Sequence, residues 1–497
     1  MQILTAAEIR AWDEFTIAKE PIASIDLMER AALACFDWIV QNGFTGSNFF
    51  IYCGKGNNGG DGLALARLLY DSGNQVQVFI PDSVSPGTAD FQINLQRLRE
   101  LQVPLQFITT SLPTLPAGAI IIDALLGTGL NRPVDGWMAA VVQSMNQSGN
   151  TVIAIDIPSG LSSDKSSAGH FVIRAAHTLS FQNLKPAFIV AENEKNIGTL
   201  HLLYIGLHPD FLTMFQPSFT WVTSALAKKR FRPRSRFSHK GAYGHALLIA
   251  GRQGSMGAAV LAAKGALASG TGLLTVQVPR SGNDILQAAV PEAMTIRDEE
   301  ETYITGLPEN VQRFQAIGTG PGLGTEKRTA DFLMKLFETF LKPVVLDADV
   351  LNLIAQHHLI DSIPAQSVLT PHPKEFERLF GKCDNDFIRI DKANEMAVEH
   401  NVVIVLKGHH TCIFSGGRCY VNSTGNAGMA KGGSGDVLTG MITGLLAQGY
   451  DPETAALLGV YIHGKAGDIA LAATSYESML PSDLVQYAGT AFRTIYS

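Results

Sequence analysis

A glycine-rich segment at residues 426–436 runs directly into an apolar stretch, and the two together constrain the fold more than any other part of the chain. The segment ends in Gly-Gly-Ser-Gly-Asp436, and the apolar residues that follow recur at the spacing of one helix face. Glycines let backbone amides approach a phosphate closely, and the N-terminus of a helix favours a bound anion. The sequence therefore predicts an anion-binding loop at the start of a helix.

Asp436 is the unusual member of this segment, because a carboxylate repels the anion that the loop would bind. Its presence makes sense if Asp436 removes a proton from a substrate hydroxyl next to the phosphate. The alternative is structural, since aspartate is a favoured N-cap residue of helices. The chain has no GxxxxGK[ST] sequence, so the segment is not a P-loop of the Walker type.

The length and composition of the chain indicate a multidomain α/β enzyme. At 497 residues, two or three domains are expected. The net charge of −7 argues against nucleic-acid binding, and no apolar run approaches membrane-spanning length. The five cysteines are scattered, and the first residues carry charges instead of the apolar core of a signal peptide. We expect a cytoplasmic protein that binds neither nucleic acid nor membrane.

The first half of the chain begins a predicted parallel sheet. A predicted strand at residues 48–53 leads through a turn at 54–62 and a helix at 63–70 into a second strand at 76–80, which is a βαβ unit. The turn carries the glycines of a GxGxxG pattern and polar side chains able to bind a ligand: Gly54, Gly56, Gly59, Asn57, Asn58 and Asp61. The glycine pattern alone is a weak signal, and a tight turn is the alternative.

Two further predicted strands of the first half end in aspartate, at Asp123 and Asp156. The carboxyl ends of parallel strands lie along one edge of the sheet, so these residues could converge with Asn58 and Ser159 on one cleft. Oxygen ligands of this kind suit a simple cation. A lone aspartate at a strand end is usually a helix cap, but two at successive strand ends favour a site.

The alternation of strands and helices lapses between residues 207 and 240, where basic residues crowd the second part of the segment. A basic run is most often a solvated linker, and we place a domain boundary near residue 220.

Predicted strand ends in the second half also carry residues suited to catalysis. A strand is predicted at residues 344–349 and ends in the paired acids Asp347 and Asp349. These could serve a magnesium shell or cap a helix, and the sequence favours neither. His372 stands between two prolines, which favours a ligand role over a place in the core. Lys407 follows another predicted strand and could approach a nucleotide phosphate.

Three motifs of the first half, GKGNNGGDG, GTGLNRP and DIPSG, together resemble the NAD(P)H-hydrate epimerase domain over roughly residues 1–215. The resemblance implies a Rossmann-like three-layer α/β/α domain, which we place at residues 1–220, with Asp156 as the base for inversion at C6 of the hydrated nicotinamide. It implies a potassium site at Asn58, Asp123 and Ser159. The implied contacts with the hydrate are Asn57, Asn58, Gly59, Gly60, Asp61, Gly127, Thr128, Gly129, Leu130, Asn131, Arg132, Pro133 and Asp156. The sequence departs from the family's usual LD and KPG at residues 161–164 and 185–187, and we expect both positions to be peripheral.

The second half carries the motifs HKGAYGHALLIAG, GTGPGLG, LDAD, LTPHPKE, VLKG and NAGMAKGGSGD. Together they resemble the ADP- or ATP-dependent NAD(P)H-hydrate dehydratase, which implies a ribokinase-like α/β domain at residues 221–497. The implied hydrate contacts are Ala258, Gly322, His372 and Asp436, and the implied nucleotide contacts are Lys407, Gly408, His409, His410, Thr411 and Gly435. The implied chemistry is phosphorylation of the C6 hydroxyl, assisted by Asp436 and a divalent cation, followed by loss of phosphate.

The two resemblances imply one process, the repair of hydrated NADH and NADPH. The first domain would interconvert the R and S hydrates, and the second would dehydrate the S epimer. The alternative is a vitamin-precursor kinase of the ribokinase-like group with an N-terminal nucleotide-binding module. Expected cofactors are K⁺ for the first domain and Mg²⁺ with ADP or ATP for the second. The expected partners are small-molecule substrates and further copies of the chain in a homo-oligomer. The choices between ADP and ATP, and between the NADH and NADPH hydrates, stay open at this point.

Overall fold

The computed structural model describes residues 2–82, 85–109, 111–130, 132–214 and 217–496. The chain divides into two compact units. The first covers Gln2–Ser218, with the short segment Asn385–Phe387 grouped with it, and the second covers Phe219–Asp384 and the chain from Ile388 onward. Across the described ranges, every helix is too short or too polar to span a lipid bilayer.

The elements of the first unit alternate between strands and helices. Its strands are β1 (Gln2–Ile3), β2 (Asn48–Cys53), β3 (Gln75–Pro81), β4 (Leu105–Ile108), β5 (Ile120–Ala124), β6 (Thr151–Ile155), β7 (His177–Phe181) and β8 (Thr199–Leu203). Its helices are α1 (Ala6–Lys19), α2 (Ser24–Gln41), α3 (Asn57–Asp71), α4 (Ala89–Glu100), α5 (Gly136–Gln147) and α6 (Glu194–Ile197).

The sheet of the first unit runs in the order β4-β3-β2-β5-β6-β7-β8, and all neighbouring strands are parallel. Alternate strand residues point to opposite faces. Thus Ile120 and Ile122 belong to the core shared with α2, α3 and α4, while Ile121 belongs to the core shared with α5. Helices therefore cover both faces, which is the predicted three-layer arrangement.

The second unit contains the remaining elements. Its strands are β9 (Phe219–Val222), β10 (His245–Ile249), β11 (Leu273–Val278), β12 (Met294–Arg297), β13 (Ala316–Thr319), β14 (Val344–Leu346), β15 (Val368–Leu369), β16 (Val403–Leu406), β17 (Cys412–Ser415) and β18 (Arg418–Asn422). Its helices are α7 (Ser224–Arg230), α8 (Met256–Ala268), α9 (Asn283–Ala289), α10 (Lys327–Thr339), α11 (Ala348–His357), α12 (Pro373–Phe380), α13 (Asp386–Glu399), α14 (Ser434–Ala447), α15 (Pro452–Leu471) and α16 (Pro481–Tyr496).

These strands lie in the order β9-β18-β17-β16-β15-β14-β13-β10-β11-β12. The pairs β16–β17 and β17–β18 are antiparallel, and the other pairs are parallel. Helices α8, α14 and α15 bury alanine and leucine side chains against this sheet. The carboxyl ends of β10, β13, β14, β15 and β16 consequently lie along one edge. The predicted α/β class with parallel sheets is confirmed.

Local structure differs from the sequence predictions in three places. Helix α3 begins at Asn57 instead of Leu63, so the polar cluster of the turn lies in the first turns of the helix. The strand predicted at residues 344–349 ends at Leu346, and Asp347 occupies the N-cap position of α11 without a capping side-chain hydrogen bond. The interpretation of the basic run as a solvated linker is wrong for its first part. Helix α7 covers that part, and Arg230 there pairs with the buried Glu453 at 3.1 Å.

Candidate active sites

The first unit holds a cavity of about 970 Å³ at the carboxyl edge of its sheet. It extends from Pro81 and Asp82, at the end of β3, to Asp156 and Gln182, which follow β6 and β7. The sequence-predicted residues that line it are Asn57, Asn58, Asp61, Gly127, Thr128, Gly129, Leu130, Arg132 and Asp156. The topology therefore brings most of the predicted residues of this half to one place, because successive parallel strands end on the same edge.

The other predicted hydrate contacts lie elsewhere. Gly59 and Gly60 are buried on the inner side of α3, where a side chain at Gly60 would collide with Met28. Pro133 is exposed and lies outside the described lining of the cavity. Asn131 falls outside the described residues. Gly59 and Gly60 thus allow α3 to pack closely instead of facing the cavity.

The glycines at the start of α3 have distinct environments. A Cβ on Gly54 would lie 1.8 Å from the carbonyl oxygen of Leu125, and one on Gly59 would lie 1.7 Å from that of Gly54. Both positions therefore require glycine for close packing. Gly56, the N-cap of α3, has no atom within 4 Å of its Cβ direction, so the backbone there is open to the cavity. This arrangement suits a phosphate at the N-terminus of α3.

Asp123 and Ser159 form a buried hydrogen-bonded pair beside this cavity. The Ser159 hydroxyl donates to Oδ1 of Asp123 at 2.6 Å, and the Ser159 amide donates to Oδ2 at 2.7 Å. Burial raises the pKa of Asp123 to about 6, and these hydrogen bonds limit the rise. Asn58 is also buried, and neither atom of its side-chain amide has a hydrogen-bond partner among the described residues. An unpaired buried amide is costly, which indicates a polar occupant at this position.

Asp156 follows β6 with a left-handed backbone, at φ +66°. Its Oδ1 atom accepts from Nζ of Lys185 at 2.8 Å, and the same ammonium donates to the Ser180 hydroxyl at 2.5 Å. The Lys185 side chain is fully buried, whereas the Asp156 carboxylate retains access to the cavity. The expectation that residues 185–187 are peripheral is therefore wrong, because Lys185 provides the direct counter-ion of Asp156.

Two acids with raised pKa values share the cavity with Asp156. Burial raises the pKa of Asp13 to about 7, and the Asp156 carboxylate adds to the rise. Burial also raises the pKa of Asp61 well above its ordinary value, with Asp156 and Asp13 adding to it. A group that holds its proton near neutrality thus lies in the same cavity as a paired carboxylate, which is the arrangement needed for an acid and a base. The sequence reasoning missed Asp13, because nothing in α1 marks that residue as facing a cavity.

The second unit holds a cavity of about 650 Å³, lined by residues that follow β15 and β16 and by the loop before α14. The predicted residues that line it are His372, Lys407, Gly408, His409, Thr411 and Gly435. His410 is turned toward Trp221, with their rings 5.1 Å apart, and is outside the described lining. The loop itself is anchored by Asp468, which accepts from the Gly425 amide at 3.1 Å and from the Asn426 side chain at 3.2 Å.

Asp436 lies in the first turn of α14, three residues after the N-cap Gly433, so the N-cap interpretation of Asp436 does not hold. The pKa of Asp436 is raised to about 6, mainly by burial and secondly by the nearby Asp347 carboxylate, while Lys407 acts in the opposite direction. A carboxyl group with this pKa is suited to accept a proton near neutral pH.

Lys407 and Asp347 form a buried ion pair beside Asp436. Nζ of Lys407 lies 2.9 Å from Oδ1 of Asp347 and 3.7 Å from Glu375. The pKa of Asp347 is lowered overall. Burial alone would raise it, but the Lys407 ammonium and the hydrogen bond from the Thr439 hydroxyl outweigh the effect of burial. A Cβ on Gly435 would lie 3.5 Å from Nζ of Lys407. The cation thus lies directly at the N-terminus of α14.

His372 is the N-cap of α12, a structural role that the sequence reasoning did not identify. Its Nδ1 atom accepts from the amides of Lys374 and Glu375 at 3.1 and 3.3 Å, and the Glu375 carboxylate accepts from the His372 amide. This capping box fixes the imidazole with 44% of its side chain exposed at the cavity wall. His372 is therefore rigidly presented, as the flanking prolines predicted.

Ala258 and Gly322 lie together near the start of α8, since a Cβ on Gly322 would approach the Ala258 methyl group to 3.0 Å. They are outside the described lining of the 650 Å³ cavity. The Gly320–Gly324 loop is held by Asp349, whose Oδ2 atom accepts from the Gly324 amide at 2.8 Å. Asp349 also contributes to the raised pKa of Asp436. Of the predicted hydrate contacts, His372 therefore lines the same cavity as the predicted nucleotide contacts, whereas Ala258 and Gly322 lie outside its described lining.

Family profiles match both units. The profile described as YjeF-related protein N-terminus matches residues 24–187, and the profile described as NAD(P)H-hydrate dehydratase matches residues 246–489. The two matches fall on the two cavity-bearing sheets.

Individual relatives match the whole chain or its second part. A bifunctional NAD(P)H-hydrate repair enzyme Nnr from Moorella thermoacetica is 34% identical over 100% of this chain and 97% of its own. The enzyme of the same name from Coxiella burnetii is 35% identical over 93% of this chain and 94% of its own. Among solved structures, an ADP/ATP-dependent NAD(P)H-hydrate dehydratase from Bacillus subtilis, co-crystallised with ATP and Mg²⁺, is 33% identical. It covers 56% of this chain and 98% of its own, with a TM-score of 0.47.

Proposed function

The chain belongs to the family of bifunctional NAD(P)H-hydrate repair enzymes, and we propose that its two cavities are the epimerase and dehydratase sites of that repair. The observation that carries this proposal is the presence of two cavities at the carboxyl edges of two separate parallel sheets, each beside one candidate catalytic carboxylate. Asp156 lines the first cavity, and Asp436, in the first turn of α14, lies next to the second cavity.

In the second domain, Asp436 takes the proton of the C6 hydroxyl of the S hydrate while the hydroxyl oxygen attacks the terminal phosphoryl group of ADP or ATP, and AMP or ADP leaves. The C6–O bond then breaks with departure of phosphate, and loss of a proton from C5 restores the ring double bond. The amides at the N-terminus of α14 and the Lys407 ammonium stabilise the transferring phosphoryl group. Burial keeps the pKa of Asp436 close to the pH at which proton transfer is needed.

The nucleotide occupies the 650 Å³ cavity, with Lys407, Gly408, His409, Thr411 and Gly435 around its phosphates and sugar. The ring of the hydrate contacts Asp436, Ala258, Gly322 and His372, and His372 also lines the nucleotide cavity. His410 contacts the nucleotide only through its backbone in this arrangement, because its ring packs on Trp221.

Mg²⁺ fits this site as a companion of the nucleotide. The ion is usually held by one or two carboxylates together with substrate phosphates, and Asp349, whose charge acts on Asp436, is the carboxylate that would hold it here. The described residues contain no group of three His, Cys, Asp or Glu side chains that would form a metal site by itself. When bound with the nucleotide, the ion neutralises phosphate charge.

In the first domain, Asp156 takes the proton of the C6 hydroxyl as the bond between C6 and the ring nitrogen breaks, which gives an open-chain aldehyde and a protonated nitrogen. The nitrogen then releases its proton and adds to the other face of the aldehyde, and Asp156 returns the proton to the hydroxyl of the inverted C6. Lys185 holds the Asp156 carboxylate in place through its hydrogen bond to Oδ1. Asp13, whose burial raises its pKa to about 7, is the candidate proton donor on the cavity wall. The left-handed backbone of Asp156 aims its side chain into the cavity, and such strained residues are concentrated at active sites.

A potassium ion fits the first domain because an oxygen-only donor set is partly unpaired there. The Oδ1 atom of Asn58 has no described hydrogen-bond partner. Asp123 and Ser159, which are hydrogen-bonded to each other, supply further oxygen atoms. When bound, K⁺ would supply a fixed positive charge for the anionic part of the substrate.

Asn58→Leu is expected to remove the response of epimerisation to potassium without lowering the stability of the fold. The amide makes no described hydrogen bond, so its replacement forfeits none, whereas losing a bonded buried group typically costs about 1–3 kcal/mol. Epimerisation of the R hydrate should be followed at several KCl concentrations, with dehydration of pure S hydrate by the same protein as the control. A variant that keeps the wild-type potassium response would eliminate Asn58 as a ligand.

The division of labour is tested with a truncated chain that begins near residue 219. Supplied with mixed R and S hydrates and ATP or ADP, it should convert only the S epimer to reduced cofactor, seen as recovered absorbance. The full chain should consume both epimers. Consumption of both by the truncated chain, faster than spontaneous epimerisation, would contradict the assignment. Accumulation of a phosphorylated product would point to a kinase instead.

We also propose action in a reducing compartment, consistent with the cytoplasm, on small molecules alone. All five cysteines are free thiols, and the negative net charge disfavours nucleic acid. The homo-oligomer expected from the sequence stays a prediction.

A further inference from the structure

The cavity of the first unit is long enough to receive two different halves of one ligand. One end contains Asp156 and Gln182, which follow β6 and β7, and the other contains Asp82, Ser85 and Thr88, beyond the end of β3. Gly56, in the turn between β2 and α3, lines this cavity and has open space where a side chain would lie. Phosphates linking two halves of a ligand would therefore meet the N-terminus of α3.

The strand order assigns each half of a dinucleotide to one end. The order reverses between β2 and β5, which is the switch point at which doubly wound sheets bind dinucleotides across their carboxyl edge. One nucleoside then lies over β5 and β6 and the other over β3. Because Asp156 follows β6, the hydrated nicotinamide takes that end and the adenosine takes the end near β3.

Two oppositely charged side chains meet at the adenosine end. Nζ of Lys55, within the glycine turn, lies 3.0 Å from Oδ1 of Asp82, which follows β3. The lysine side chain is 13% exposed and the aspartate 48% exposed, and both line the cavity. In dinucleotide-binding sheets, an acid about 20 residues after the glycine turn accepts a hydrogen bond from the ribose 2′-hydroxyl, while a cation accommodates a 2′-phosphate.

We propose that Lys55 and Asp82 read the 2′ position of the adenosine ribose and so set the choice between NADH hydrate and NADPH hydrate. Asp82 accepts a hydrogen bond from the free 2′-hydroxyl of NADH hydrate. The same carboxylate repels the 2′-phosphate of NADPH hydrate, and Lys55 offsets that repulsion by turning from Asp82 to the phosphate. With both charges present, the epimerase domain accepts both hydrates. This inference rests on the proposed epimerase function.

The test uses the full-length protein without ADP or ATP, so that dehydration cannot occur and only interconversion of R and S is followed by chromatography. Asp82→Asn should raise the ratio of kcat/KM for NADPH hydrate over NADH hydrate about tenfold, and Lys55→Met should lower it about tenfold. Both changes should lie in KM, because the ribose is remote from C6. Glu20→Gln, which disrupts an ion pair with Arg30 outside the cavity, is the matched control and should leave the ratio unchanged.

Equal effects of either substitution on both hydrates would overturn the proposal, as would an unchanged ratio in both variants. If the wild-type protein epimerises neither hydrate, the proposed function fails, and fragment binding then tests the pair by itself. In that arm, calorimetry compares AMP with adenosine 2′,5′-bisphosphate. The preference for the bisphosphate should increase in Asp82→Asn and decrease in Lys55→Met, and identical preferences in all three proteins would overturn the proposal.

Discussion

Replacing Asp436 with asparagine is expected to reduce dehydration of the S hydrate by about 10²–10⁴-fold, the usual contribution of a general base. Asparagine preserves the size of the side chain and cannot accept the hydroxyl proton. Nucleotide binding should persist, because the cavity that we assign to ADP or ATP is lined by Lys407, Gly435 and neighbouring residues and not by Asp436. Initial rates with pure S hydrate and calorimetry with ATP measure the two effects.

Epimerisation of the R hydrate by the Asp436→Asn protein, measured without nucleotide, is the internal control, because that reaction belongs to the other domain. It should match the wild-type rate. Dehydration at a near-normal rate by this variant would reject Asp436 as the base.

The pH dependence of dehydration follows from the same carboxyl group. Burial and Asp347 raise the pKa of Asp436 to about 6, and only the ionised form accepts a proton. The rate should therefore increase about tenfold per pH unit below pH 6 and level off above it. A profile that stays flat between pH 5 and pH 8 would show that another group, or an unshifted carboxylate, accepts the proton.

Much of both candidate sites could be predicted from the sequence, because parallel sheets place successive strand ends on one edge. Asp156 directly follows β6, and Lys407 directly follows β16. Once the strands are recognised by their runs of apolar residues, the position of these side chains follows from topology. The glycine-rich loop before α14 was predictable in the same way, since its composition and the following apolar periodicity are local properties.

Residues whose role depends on a distant partner could not be predicted. Lys185 is fully buried only because β7 and the turn after it bring it to Asp156, 29 residues away. Asp13 belongs to a helix whose local sequence shows an ordinary solvated acid, and its raised pKa arises from burial against the sheet edge. His372 was missed for a different reason: its capping partner Glu375 is only three residues away, but histidine is not among the residues that usually cap helices.

The boundaries of elements were less predictable than their existence. Glycine and asparagine disfavour helix interiors, so the sequence argued for a loop at residues 57–62. The structure places these residues in α3, because Gly59 and Gly60 allow the helix to pack tightly on β2 and α2. Packing of the whole domain outweighs a local preference of about 1 kcal/mol per glycine.

The ion pair between Lys185 and Asp156 supports the last prediction, which separates catalysis from stability. Asp156→Ala leaves the fully buried Lys185 ammonium without a counter-ion among its described hydrogen-bond partners, which are then the Ser180 hydroxyl and, at 3.5 Å, the backbone carbonyl of residue 156. Breaking a buried pair in this way typically costs about 3–5 kcal/mol, so the melting temperature of the first domain should fall substantially. Epimerisation should also decrease, by about 10²-fold or more, because the base is absent.

The double variant Asp156→Ala/Lys185→Met distinguishes the two effects. Replacing both charges with apolar groups removes the uncompensated ammonium, and such replacements are often neutral for stability. The double variant should therefore regain most of the lost melting temperature without regaining epimerisation. If Asp156 were only a structural partner of Lys185, restoring stability would restore activity as well. Recovery of both properties in the double variant would thus remove Asp156 from the mechanism, whereas recovery of stability alone is the behaviour expected of a catalytic carboxylate held by a buried counter-ion.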